Sequence, residues 1–143
     1  PKVPSLLSLS QELNIEDKTE FSKWMPRKLL FQKMAESHVF LYPSLREGGG
    51  AVVVEAMACG LPVICLDLAG PGFHIQKDWG IKIEAIDPDY VIQEMVSSLD
   101  SLHGDENTRH KLGTAAQKRA DEYYVWDRQG ERLLELYKDS LSI

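Results

Sequence analysis

Two glutamates, Glu47 and Glu55, stand with seven residues between them in "SLREGGGAVVVEAMACG", and Gly48, Gly49 and Gly50 follow the first of them directly. Glycines that lead into a helix can cradle an anion. A helix N-terminus presents unpaired N–H groups and a partial positive charge, and the absence of a Cβ lets a phosphate come close. The run is not the G-x-G-x-x-G fingerprint, and no Lys-Ser/Thr follows it as in a P-loop. Spacing alone therefore leaves phosphate binding and a structural turn both open. Glu47 is an odd neighbour for an anion, because its carboxylate repels phosphate. It suits neutral donors such as sugar hydroxyls, or a cation. Glu55 lies between Val54 and Ala56, and a charge in an apolar stretch needs a partner. It reads either as a solvated helix position or as a carboxylate accepting from a pair of vicinal hydroxyls. His38, His74, His103 and His110 all lie outside this stretch. The stretch therefore offers no imidazole as a general base, and the four read as ordinary core or surface histidines.

The elements that must position these residues alternate between strand and helix. Ser5 to Leu13 carries leucines at helical spacing, and "KTEFSKW" reads as a short strand. Pro26 suits a helix start, and "RKLLFQKMAES" continues that helix. "HVFLYP" and "LPVICLDLAG" are apolar enough to be strands buried on both faces, and "GIKIEA" is a further strand. Val52, Val53 and Val54 favour a strand. Even so, a strand there would leave only "EAMACG" before the next one, too short for a parallel crossover. Ala51 to Cys59 is therefore expected to be a helix, with Gly60 as its C′ residue. Three helices follow, over "DPDYVIQEMVSSLDSL" with Asp87 as N-cap, over Asp105 to Tyr124, and over "WDRQGERLLELYKDSL". The expected fold is α/β, a Rossmann-like parallel sheet with helices on both faces. Ligands of such sheets bind at the C-terminal ends of the strands, where the glycine run lies.

Composition narrows the function. The 143 residues suit one domain, and the formal net charge of −6 argues against a general nucleic-acid binder. Cys59 and Cys65 have no ligand spacing and read as reduced core thiols. No apolar run approaches the roughly 18 residues of a membrane helix, and "PKVPSLLSLS" lacks a signal-peptide plan. These features point to a cytoplasmic protein without a transmembrane segment. Peripheral membrane association of a longer protein stays open.

The stretch "YPSLREGGGAVVVEAMACGLPVI" resembles the signature of retaining GT-B glycosyltransferases, the large family that includes sucrose synthases and bacterial mannosyltransferases. Pro43, Ser44, Glu47, the glycines, Glu55, Ala56 to Ala58, Gly60, Pro62, Val63 and Ile64 carry the resemblance. "EFSKWMPR" is similar to a flanking family segment, with Lys23 where glycine is usual. "AGPGFHI" stands where the family often has Gly-Gly-x-x-Glu-Ile, and "WGIKIEAIDPD" matches the strand and helix start beyond it.

The resemblance implies a nucleotide-sugar donor as ligand and an acceptor of unknown identity. It places Glu47 beside the donor sugar as the catalytic carboxylate. Its role there is positioning and electrostatic rather than nucleophilic, with the leaving diphosphate assisting. Gly48, Gly49, Gly50, Ala51 and Val52 would hold sugar and diphosphate oxygens, and Glu55 the ribose hydroxyls. Trp24, Met25 and Arg27 would lie near the base. Neither metal nor cofactor is implied. Residues 1–143 would form part of the C-terminal nucleotide-sugar-binding domain of a two-domain GT-B enzyme, with the first strands and the N-terminal domain outside the chain. Such a piece is expected to be inactive alone and to bind donor weakly. A non-catalytic nucleotide-sugar-binding or protein-interaction module is the alternative. The last helix, with Leu133, Leu134, Leu136 and Tyr137, would then offer an interaction face.

Overall fold

The computed structural model describes residues 3–141, which divide into two compact units between Leu30 and Phe31. In the first, helix α1 (Val3–Glu12) is followed by a single 3₁₀ turn, Glu16–Lys18. Helix α2 (Arg27–Ala35) begins directly after Pro26, whose carbonyl accepts from the N–H groups of Leu29 and Leu30. The expected strand over "KTEFSKW" does not form; the chain after Thr19 runs irregularly to Pro26. A strand needs a ladder partner for its N–H and C=O groups, and residues 19–24 pair with no strand among the described residues.

The second unit holds a parallel sheet in the order β1 (Phe40–Tyr42), β2 (Val63–Leu66), β3 (Gly80–Ile83). Leu41 pairs with Ile64, Ile64 with Ile81, and Leu66 with Ile83. Side chains alternate along a strand, so Ile64, Leu66, Ile81 and Ile83 share one face. Helix α5 (Pro88–Gly104) covers that face through Met95 and Leu102. Val63, Cys65, Tyr42 and Lys82 belong to the other face, where α3 (Ala51–Ala58) and α4 (Ala69–His74) lie. Helices therefore cover both faces, as the strand–helix alternation requires.

The valine run is helical. Val53, Ala56 and Met57 are fully buried, and tertiary burial outweighs the β-preference of Val52 to Val54. The helix ends in a Schellman motif. Gly60, at φ 74, donates to the Met57 carbonyl at 2.9 Å, and Leu61 donates to Ala56 at 3.1 Å. Helix α6 (Glu106–Tyr123) crosses this end. Its Gly113, Ala116 and Ala120 are buried and small, and Gln117 Nε2 donates to the Ala58 carbonyl at 3.1 Å. Asp87 caps α5 as expected, its carboxylate accepting from the Tyr90 N–H at 3.0 Å. Helix α7 (Trp126–Leu141) leaves Leu133, Leu134, Leu136 and Tyr137 exposed. Helix α4 was not anticipated, because "AGPGFH" has the composition of a loop. No helix among the described residues is long and apolar enough to cross a membrane.

Candidate functional site

Strand β1 ends at Tyr42, and its continuation is the loop carrying Glu47 and the three glycines. That loop therefore sits at the C-terminal edge of the sheet. The Tyr42 hydroxyl donates to Glu47 Oε2 at 2.7 Å, and the Gly50 N–H donates to Oε1 at 3.4 Å. These bonds stabilise the charged form. The Tyr42 hydrogen bond first, then the N–H groups of Gly50 and Gly48, hold Glu47 below the usual carboxylate range. The Tyr42 phenol shifts the opposite way, pushed up by its bond to Glu47 and by burial. Glu47 is an anion at neutral pH, fixed from both ends of its carboxylate.

The three glycines are not equivalent. Gly50 is buried at φ 65, and a Cβ there would meet Pro71 Cδ at 2.9 Å. That position requires glycine for the chain to turn into α3. At Gly48 and Gly49 a Cβ would meet nothing within 4 Å. They are exposed and open, so their lack of a side chain answers no need of the fold itself.

Helix α4 fixes the loop from behind. The Gly70 N–H donates to the Gly48 carbonyl at 3.0 Å. His74 Nε2 lies 2.6 Å from the Gly49 carbonyl, and its Nδ1 lies 2.8 Å from the Tyr124 hydroxyl. A carbonyl only accepts, so Nε2 carries a proton, and in the neutral imidazole Nδ1 then accepts from Tyr124. In a trans peptide the C=O and the following N–H point in opposite directions. With the carbonyls of Gly48 and Gly49 turned toward α4, the N–H groups of Gly49 and Gly50 turn away from it. The Gly50 N–H meets Glu47. At the start of α3, the N–H groups of Ala51 and Val52 have no intrahelical partner by position.

Glu55 lies one turn into α3, four residues from Ala51, so both share a face, about 6 Å apart along the axis. It is half-buried. Burial first, and then the Glu55 charge, raises the neighbouring Cys59 thiol. Burial pushes Cys65 up to about 12. Both cysteines are free, and neither has thiolate character at neutral pH. Trp24, Met25 and Arg27 belong to the first unit. Trp24 is 89% exposed, Met25 is half-buried and Arg27 opens α2.

A cavity of about 570 Å³ is lined by His38, Val39, Leu99, Asp100, His103 and Arg109. It lies at the N-terminal edge of β1, the end of the sheet away from the glycine loop. Arg109, its cation, donates to the Leu102 and His103 carbonyls and so closes α5. That guanidinium serves the fold rather than a ligand. No group of three or more His, Cys, Asp or Glu residues suited to a metal occurs among the described residues.

The sequence matches the family described as glycosyl transferases group 1 over residues 2–119. The chain belongs to that family. It is 37% identical over 101 residues to a sucrose synthase of Melioribacter roseus, covering 70% of this chain and 13% of that protein. It is 28% identical over 131 residues to a D-inositol 3-phosphate glycosyltransferase of Kribbella flavida, covering 91% of this chain and 30% of the relative. A sucrose-phosphate synthase from Thermosynechococcus elongatus superposes with a TM-score of 0.80 at 25% identity, over 96% of this chain and 34% of that one. The chain thus spans about a third or less of each of these proteins. Together these matches identify the architecture as the Rossmann-like α/β arrangement of a GT-B glycosyltransferase. Sequence reasoning missed His74 and Tyr124, which are fifty residues apart and carry no local signal of their contact.

Proposed function

We propose that the chain is the donor-binding part of a glycosyltransferase that moves a sugar from a nucleotide-sugar to an acceptor with retention of anomeric configuration. The observation that supports this best is the division of labour at the sheet edge. Open glycines and helix N–H groups lie between two carboxylates, one fixed in the loop and one a turn into α3. Residues 1–143 would be part of a C-terminal domain working with an N-terminal domain that supplies the acceptor site.

In this reading Glu55 accepts from the ribose hydroxyls, each charge-assisted bond worth roughly 1.5–3 kcal/mol. The N–H groups of Gly49, Ala51 and Val52 hold diphosphate oxygens, and the positive end of α3 stabilises charge on the leaving diphosphate. Glu47, held as an anion, bonds the donor sugar and stabilises positive charge developing at the anomeric carbon. The Gly50 N–H is already committed to Glu47, so its part is to hold that carboxylate rather than the phosphates. No metal is expected.

Calorimetric titration with UDP, GDP and ADP tests the reading. At least one nucleotide is expected to bind, and Glu55→Ala to weaken it about tenfold or more. Equal affinity of wild type and Glu55→Ala would refute the ribose assignment.

A further inference from the structure

We propose that His74 is a positioning residue of this site. Through the Gly49–Gly50 peptide it aims the loop N–H groups outward and so holds the Glu47 carboxylate. The inference rests on the donor-site reading above for its functional consequence, and on the geometry alone for the brace.

The peptide between Gly49 and Gly50 is held at both ends. Its carbonyl accepts from His74 Nε2, and its N–H donates to Glu47 Oε1. Two adjacent glycines otherwise let such a peptide rotate at little steric cost. Removing the imidazole frees the carbonyl, and the N–H need no longer face Glu47. Only one tautomer of His74 serves, because an unprotonated Nε2 would set two lone pairs against each other. The Tyr124 hydroxyl selects that tautomer by donating to Nδ1. The ring is locked further. It packs edge-on against Tyr124 with centroids 5.1 Å apart, and the backbone carbonyl of His74 accepts from Trp79 Nε1 at 2.9 Å. The Arg119 guanidinium lies over both Trp79 and Tyr123. A chain of contacts thus leads from α6 through His74 to Glu47.

The test compares His74→Ala, His74→Gln and Tyr124→Phe with wild type by amide hydrogen exchange, with and without UDP, GDP or ADP. Gln can place an amide donor near the position of Nε2, so it is the conservative rescue. In His74→Ala, exchange at the Gly50 amide is expected to rise about five- to tenfold, as for loss of one hydrogen bond. In His74→Gln it should stay within about threefold of wild type, and Tyr124→Phe should fall between them. Amides of the β2–β3 ladder, such as Cys65 and Ile83, should keep wild-type rates. Where wild type binds a nucleotide, His74→Ala should bind it about five- to tenfold more weakly. Unchanged Gly50 exchange in His74→Ala would overturn the proposal. So would parallel acceleration of the ladder amides, a failed rescue by Gln, or unaltered nucleotide affinity. Loop exchange that behaves as expected while wild type binds no nucleotide would uphold the brace and refute the donor-site reading instead.

Discussion

Alanine placed in turn at Gly49 and Gly50 separates the glycine that the fold needs from the glycine that a ligand needs. At Gly50 the backbone is left-handed at φ 65. A non-glycine residue there costs about 1–2 kcal/mol. The new Cβ would also lie 2.9 Å from Pro71 Cδ and 3.0 Å from Pro71 N, where ordinary contact begins near 3.4 Å. Overpacking of this kind costs about 1–3 kcal/mol, and the stiffer unfolded chain returns about 0.4–1 kcal/mol. Gly50→Ala should therefore lose about 1–4 kcal/mol of stability. At Gly49 a Cβ meets nothing within 4 Å and φ is not left-handed. Gly49→Ala should be as stable as wild type or gain up to about 1 kcal/mol. Its methyl group nevertheless occupies the space proposed for the diphosphate and should weaken nucleotide binding. Urea denaturation gives the stabilities and calorimetry the affinities. A Gly49→Ala variant that unfolds more easily, or a Gly50→Ala variant as stable as wild type, would refute the reasoning.

Three further outcomes follow from the same structure. Tyr42→Phe removes the larger cause of the depressed Glu47 pKa, so its carboxyl titration followed by NMR should move up toward the ordinary range. A depressed folded pKa contributes stability above the unfolded value that is lost as pH falls through the folded one; denaturation midpoints of Tyr42→Phe should accordingly fall less across that acidic window than those of wild type. Asp87→Ala removes the α5 cap and should cost about 0.5–2 kcal/mol by thermal unfolding. Gly113→Ala would set a Cβ 2.1 Å from the Gly60 carbonyl oxygen, and forcing α6 away from α3 should cost about 1–3 kcal/mol in chemical denaturation.

Much of the fold could be read from local pattern because local physics decided it. The apolar runs "HVFLYP" and "LPVICLDLAG" hold the strands Phe40–Tyr42 and Val63–Leu66, and Asp87 and Gly60 marked helix ends through their own side chain or backbone. The helix over the valines was legible only by counting residues to the next strand, since propensity pointed the other way. The "KTEFSKW" expectation failed because a strand depends on a partner, and alternation within one segment carries no information about that partner. Helix α4 escaped notice because tertiary contacts stabilise it. Ala69 adopts φ 46, and Lys82 Nζ reaches the Gly72 carbonyl at 3.1 Å and Asp67 at 3.1 Å. At the site, the glutamates and glycines were visible in one stretch of chain. What orients them was not, because Tyr42 reaches the loop from β1, Gly70 and His74 reach it from α4, and Tyr124 acts on it through His74.

The most direct test of the donor-site reading is a map of amide chemical-shift changes as UDP, GDP and ADP are titrated into the isotopically labelled protein. The account predicts that the changes centre on Gly48 to Val52 and on Glu55, at the C-terminal edge of the sheet. Changes centred instead on the cavity at His38, His103 and Arg109, or no saturable change with any of the three nucleotides, would contradict it.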